Sequence, residues 1–112
     1  MARVINEREF AEIINSNTES KSPRPLVVDC YTDWCAPCKA SAPIYEQMSQ
    51  KYKDYADFVK INVDQNQGVA YKLQVRNIPT FAILIGNRVV SRVVGANMKK
   101  LESSIKEIIE NS

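Results

Sequence analysis

The segment VVDCYTDWCAPCK, residues 27–39, decides the fold because it joins a buried strand to the start of a helix. Its first part belongs to residues 26–32, a β-branched and aromatic run that is apolar on both faces apart from Asp29 and Thr32. This pattern is typical of a central strand that is covered on both sides. The two cysteines of the second part therefore lie where a strand gives way to a helix.

The position of the cysteine pair predicts redox chemistry. A thiol at a helix N-terminus meets unpaired backbone N–H groups and the positive end of the helix dipole, and both stabilise the thiolate that attacks disulfides. Cys35 is that thiol, and Cys38, one turn further along, can close a disulfide with it. Pro37 suits the first turn of the helix and stiffens the loop.

Two other interpretations of the pair are a zinc half-site and a pair of structural core cysteines. Zinc normally takes four ligands. The chain has three cysteines and no histidine, so it cannot complete such a site by itself. A CxxC pair beside a βαβ pattern in a cytosolic chain favours redox chemistry over structural thiols. We therefore expect neither a metal nor a cofactor.

Outward from this segment, the sequence predicts alternating strands and helices. In chain order we expect a helix capped by Asn6, a surface loop over 15–25, the strand 26–32, a helix over 36–52 kinked at Pro43, a strand over 58–63, a short helix over 66–73, strands over 81–85 and 88–94, and a helix capped by Asn97. In the second helix, apolar residues repeat at Ala40, Ile44, Met48 and Tyr52. Gly86-Asn87 is a two-residue hairpin signal, so the last two strands should be antiparallel and the sheet mixed.

Length and composition predict one soluble domain over residues 1–112, with 45% apolar and 25% charged residues. The net charge of +2 is spread along the chain and gives no basic patch for nucleic acid. The first ten residues have no apolar signal core, and the longest apolar run, 81–85, is too short to span a bilayer. We expect a cytosolic (cytoplasmic) protein that binds neither nucleic acid nor membranes.

Five motifs, in order, resemble the thioredoxin family along nearly the whole chain. VVDCYTDWCAPCK resembles the family's strand, buried aspartate and active-site turn, and APIYEQM resembles its proline-kinked helix. KINVDQN, NIPTF and VVGA resemble later landmarks of the family. The resemblance implies an α/β protein with the thioredoxin fold, a central mixed β-sheet flanked by helices on both faces.

The resemblance also implies roles for individual residues. Cys35 would be the nucleophile and Cys38 the resolving thiol. Asp29 would be the buried carboxylate behind Cys38, with Lys60 as its neighbour. The implied substrate surface consists of Trp34, Ala36, Pro37, Ile78, Pro79 and Gly95. The resemblance also implies that the peptide bond before Pro79 is cis.

Taken without the resemblance, several of these residues have plainer explanations. Trp34 could be a core residue, Gly95 a turn glycine and Lys60 a solvated strand lysine. Asp29 is harder to explain in this way, because an ionised carboxylate among apolar strand residues is costly unless it is paired or neutral. We therefore expect a raised pKa for Asp29.

The implied function is the reduction of protein disulfides by thiol–disulfide exchange. The resemblance implies that a thioredoxin-reductase-type electron donor restores the dithiol, and we expect a monomer that acts on disulfide-containing proteins. One alternative is a redox-inert binding module with the same fold, against which the intact Cys35, Cys38, Asp29 and Pro79 argue. Another is a disulfide isomerase or oxidase, whose relatives tend to carry histidine between the cysteines, where this chain has Ala36-Pro37.

The sequence departs from the family pattern at two positions near the motif. Ala36 stands where the family usually has glycine, and Cys30 occupies a position that is commonly aromatic. We expect Cys30 to be a buried small hydrophobe, with a regulatory thiol as the alternative.

Overall fold

A computed structural model describes residues 2–111, which form a five-stranded mixed sheet with helices on both faces. The strands are β1 (Arg3–Val4), β2 (Leu26–Tyr31), β3 (Asp57–Asn62), β4 (Thr80–Ile85) and β5 (Arg88–Val94). The helices of the described residues are α1 (Glu7–Glu19), α2 (Ala36–Lys51), α3 (Gln67–Lys72) and α4 (Met98–Glu110). The strand order is β1-β3-β2-β4-β5, and β4 runs antiparallel to both of its neighbours.

Strand β2 is central and covered on both faces, as its sequence predicts. Val27 packs in the core under α2 and α4, whereas Val28 and Cys30 pack in the opposite core under α1 and α3. Asp29 shares the alternation of Val27, so its side chain is directed to the α2 side of the sheet. This alternation places a carboxyl group under the helix that carries the cysteine pair.

The predicted loop over 15–25 is wrong in its first part, because α1 continues through Glu19. The last turn of α1 carries only polar side chains, most of which are exposed, so this turn is helical without an apolar face. Its Asn, Ser and Thr residues have modest helix propensity, which favours a loop prediction. Thr18 Oγ1 instead donates a hydrogen bond to Ile14 O at 2.7 Å within the helix.

The helix α2 is confirmed and runs without interruption through Pro43, but its buried face differs from the apolar repeat. Met48 and Tyr52 are buried, whereas Ala40 and Ile44 are exposed. Tyr45 occupies the centre of the buried face, where its hydroxyl lies 3.1 and 2.8 Å from the carbonyl oxygens of Val27 and Val59. No helix within residues 2–111 is long and apolar enough to cross a membrane.

Candidate active site

Cys35 and Cys38 form a disulfide at the N-terminus of α2, with their Cα atoms 5.2 Å apart. Cys35 is the N-cap residue, and its Sγ accepts a hydrogen bond from the backbone N–H of Cys38 at 3.2 Å. Pro37 lies in the first turn of the helix. In the reduced state these N–H groups and the helix dipole stabilise a thiolate on Cys35. The pair can therefore take part in thiol–disulfide exchange.

Asp29 is a buried carboxyl group with an incomplete set of hydrogen bonds. The residue is 2% exposed, and its Oδ1 has no hydrogen-bond partner among the described residues. Burial raises the pKa of Asp29 to about 7, while the charge of Lys60 lowers it and that of Glu46 raises it further. Asp29 can therefore exchange a proton near neutral pH, as a general base requires.

A pocket of about 140 Å³ brings together Asp29, Cys38 and Lys60, the three residues that the resemblance places side by side. Lys60 pairs with Asp29 in the register between β2 and β3. Its ammonium lies 5.1 Å from the centroid of the Tyr31 ring, in a cation–π contact. The pocket is also lined by Tyr31, Thr32, Asp33, Lys39 and Ala42. The buried carboxyl group and the second thiol thus share one cavity.

Trp34 is an exposed aromatic residue beside the cysteine pair, so the core interpretation of this residue is wrong. It is 71% exposed, and its Nε1–H donates a hydrogen bond to Asp64 Oδ2 at 2.7 Å. The Asp64 backbone N–H in turn donates to Asn62 Oδ1 at 2.9 Å. Asp64 lies within the KINVDQN motif, but no pattern in the sequence pointed to this role.

The Ile78–Pro79 peptide bond is cis, as the resemblance implies. The Pro79 carbonyl oxygen accepts a hydrogen bond from the Gly95 N–H at 2.8 Å. Gly95 has a φ of +86°, and a Cβ at this position would meet no atom within 4 Å, so backbone conformation rather than a lack of space favours glycine. The structure brings Pro79 and Gly95 together, and Ala36 and Pro37 are exposed at the start of α2. The contact of all four residues with substrate stays a prediction.

No group of three or more His, Cys, Asp and Glu side chains in residues 2–111 is arranged to hold a metal ion. Cys30, the third cysteine, is a free and buried thiol on the other side of the sheet from the pair. Burial, followed by the charge of Asp29, raises the pKa of its thiol to about 12.

Comparison with known families shows which proteins the chain is related to. The family model described as Thioredoxin matches residues 1–107. The chain belongs to the thioredoxin family. The matched region includes Asp29, both cysteines of the pair and all five strands.

Named thioredoxins resemble the chain over most of its length. It is 40% identical to Thioredoxin-1 of Schizosaccharomyces pombe over 104 residues, which cover 93% of this chain and 94% of that protein. It is 37% identical to the chloroplastic Thioredoxin F-type of Pisum sativum over 105 residues, which cover 93% of this chain and 55% of that protein. The chain spans about half the length of several chloroplastic relatives that it matches.

Solved thioredoxin structures confirm the fold. The crystal structure of thioredoxin NaTrxh from Nicotiana alata superposes with a TM-score of 0.85 at 38% identity, covering 95% of this chain and 92% of that one. The short form of thioredoxin F from spinach chloroplast superposes with a TM-score of 0.84 at 36% identity, covering 95% of this chain and 91% of that one.

Proposed function

We propose that this chain is a protein-disulfide reductase of the thioredoxin type. The observation that carries the proposal is the Cys35–Cys38 disulfide at the N-terminus of α2, with Asp29 lining the same pocket as Cys38. Membership in the thioredoxin family and the similarity to full-length Thioredoxin-1 of Schizosaccharomyces pombe support it.

The reaction has two exchange steps. In the reduced protein the Cys35 thiolate attacks one sulfur of a substrate disulfide, and the other substrate sulfur leaves as a thiolate. Cys38 then attacks Cys35 Sγ, which forms the intramolecular disulfide and releases the second substrate sulfur. Two electrons pass from the protein to the substrate, and no cofactor is needed.

Asp29 serves as the base for the second step. Cys38 must lose its proton before it attacks, and Asp29 accepts that proton through water in the pocket that both residues line. Burial raises the pKa of Asp29 to about 7, so its carboxyl group gains and loses a proton in the neutral pH range. The second step should therefore accelerate as pH rises through 7.

Protein substrates bind at the surface around Trp34. An extended substrate segment pairs with the backbone of Ile78 and passes Pro79 and Gly95. A hydrogen bond from the Gly95 N–H to the Pro79 carbonyl oxygen holds these two residues together. Because each cycle leaves the pair oxidised, the second partner is an electron donor of the thioredoxin-reductase type. We propose that the protein acts in the cytosol, since its cysteines form a redox pair rather than a disulfide scaffold. We further propose that it acts as a monomer.

An insulin-reduction assay with dithiothreitol tests the proposal. We expect the protein to accelerate the precipitation of insulin well above the rate with dithiothreitol alone, and the Cys35→Ser variant to lose this effect. A wild-type rate equal to that of dithiothreitol alone would support a redox-inert binding module instead.

Equilibration with a glutathione series separates a reductase from a disulfide isomerase or oxidase. We expect a reduction potential near that of thioredoxins, about −270 mV. A value of about −180 mV or higher would assign the chain to the isomerase or oxidase class.

A further inference from the structure

The indole of Trp34 depends on one hydrogen bond for its orientation. Trp34 is 71% exposed, and among the described residues its side chain hydrogen-bonds only to Asp64 Oδ2, at 2.7 Å. Exposed side chains that nothing holds change rotamer within picoseconds to nanoseconds. The direction in which Trp34 points therefore depends on where the chain places the Asp64 carboxylate.

Asp64 and Trp34 lie in turns that follow two neighbouring strands. Because β2 and β3 run parallel, the turns after them leave the sheet at the same edge. The turns are also tied together just beyond the strands, where the Val63 N–H donates to the Tyr31 carbonyl oxygen at 2.9 Å. Asp64 itself is exposed, so burial does not fix its position. Its place must come from hydrogen bonds within the turn.

Asn62 supplies those hydrogen bonds from the end of β3. It is 6% exposed, and its Oδ1 accepts from the Asp64 N–H at 2.9 Å. An asparagine side chain that binds the backbone two residues further along forms an Asx turn, which replaces a backbone turn. The Asn62 carbonyl oxygen accepts from Asn66 Nδ2 at 2.9 Å, and Asn66 is 9% exposed. Asn62 thus anchors the turn over 63–66 through two buried groups.

We propose that Asn62 positions Trp34 for the binding of protein substrates, because it fixes the turn from which Asp64 holds the indole. Asn62 is a positioning residue, since it acts through Asp64. The inference rests on the proposed reductase function and adds a buried residue to its substrate surface. A small disulfide can reach the cysteine pair without that surface, so Asn62 should matter for proteins and not for small disulfides.

Four variants separate this role from a general effect on stability. Asn62→Ala removes the acceptor of the Asp64 N–H, whereas Asn62→Asp keeps an oxygen there, because aspartate also forms Asx turns. Asp64→Ala removes the bond to Trp34 itself. Tyr52→Phe is the stability control, since it removes a hydrogen bond to Glu102 at the C-terminal end of α2, far from the cysteine pair.

The first measurement is the time-resolved fluorescence anisotropy of the reduced protein. Trp34 is the only tryptophan in the chain, so the signal reports the motion of this side chain alone. We expect a larger fast component in Asn62→Ala and in Asp64→Ala, and the wild-type component in Asn62→Asp and Tyr52→Phe. The double variant of Asn62→Ala and Asp64→Ala should match Asp64→Ala alone, because residues that act through one bond are not additive.

The second measurement compares the single-turnover reduction of insulin with that of bis(2-hydroxyethyl) disulfide. Asn62→Ala should slow the reduction of insulin roughly three- to tenfold, the effect of one lost hydrogen bond. It should leave the rate with the small disulfide unchanged. Asn62→Asp should keep the wild-type rate with both substrates.

Wild-type anisotropy or a wild-type insulin rate in Asn62→Ala would overturn the inference. So would equal slowing with both substrates, or additive effects in the double variant, since each indicates a purely structural role. If Asn62→Ala does not fold, Asn62→Ser replaces it, because serine forms the same turn more weakly and should give smaller changes in the same direction. The anisotropy does not depend on activity, whereas the reductase function fails only if the wild type does not reduce insulin.

Discussion

Asp29 is buried, and its pKa of about 7 lets its carboxyl group exchange a proton near neutral pH. An acid whose pKa is higher in the folded state than in the unfolded state binds its proton more tightly when folded. Stability is therefore complete below the unfolded pKa of about 4 and falls as pH rises through the folded pKa of about 7. The upper limit of this loss is on the order of 4 kcal/mol.

Asp29→Asn should therefore increase stability and reduce activity at the same time. At about pH 8 we expect the free energy of unfolding to rise by about 1–3 kcal/mol, less than the limit because the amide still lacks partners. Below about pH 4 the gain should vanish, because the wild-type carboxyl group is then protonated in both states. Urea denaturation at the two pH values measures the first effect, and insulin reduction the second. A less stable variant at about pH 8, or one with the wild-type reduction rate, contradicts the role of Asp29 as the buried base.

Cys30 should stay a thiol when the active-site pair is oxidised. It is fully buried, and the raised pKa keeps it protonated and unreactive at neutral pH. Alkylation of the oxidised protein followed by mass spectrometry should add no label under native conditions and one label after unfolding. Rapid labelling of the native protein would instead support a regulatory thiol.

Helices α1 and α3 stabilise each other through their N-termini. Asn66, the N-cap residue of α3, makes no side-chain capping bond to its own helix, and its Oδ1 accepts from the Glu7 N–H at 2.9 Å. The Glu7 carboxylate accepts from the backbone N–H groups of Gly68 and Val69 and so caps α3 in its place. A Cβ at position 68 would lie 2.8 Å from Glu7 Oε1, so glycine allows this close approach.

Glu7→Ala should lower the free energy of unfolding by about 1–2 kcal/mol, because the N-terminus of α3 loses its cap and a favourable charge. Glu12→Ala is the matched control, since Glu12 lies on the same helix and, within residues 2–111, its side chain makes only an exposed ion pair with Arg8. We expect the control to change stability by less than about 0.5 kcal/mol in urea denaturation. Equal effects of the two substitutions would show that the carboxylate does not cap α3.

Local signals in the sequence predicted the elements that depend on neighbouring residues. Asn6 caps α1 as expected, since its Oδ1 accepts from the Glu9 N–H and its own N–H donates to Glu9 Oε1, at 2.9 and 3.1 Å. Strand β1 escaped prediction because its two residues are exposed and too few to show alternation, and it exists through pairing with β3. Tyr45 became the buried centre of α2 because carbonyl groups from two strands lie within reach of its hydroxyl, which no local pattern reveals.

At the scale of the whole molecule, the site depends on how the sheet places distant segments together. The order β3-β2-β4 brings Lys60 and Phe81 to either side of Asp29, and α2 covers that face. The resemblance to thioredoxins predicted the neighbourhood of Asp29, Cys38 and Lys60. It did not predict the bond from Asp64 to Trp34 or the pocket position of Thr32, because both depend on the path of a turn rather than on a periodic pattern.

Cys35 is the nucleophile and Cys38 the resolving thiol, and trapping of a mixed disulfide tests these two roles most directly. Reduced Cys38→Ser and Cys35→Ser variants are incubated with insulin, and covalent adducts are identified by mass spectrometry without reductant. Cys38→Ser should accumulate a stable adduct with an insulin chain, because Cys35 still attacks and no thiol resolves the product. Cys35→Ser should form none. Equal adducts on both variants, or an adduct on Cys35→Ser alone, would contradict the assignment of Cys35 as the nucleophile.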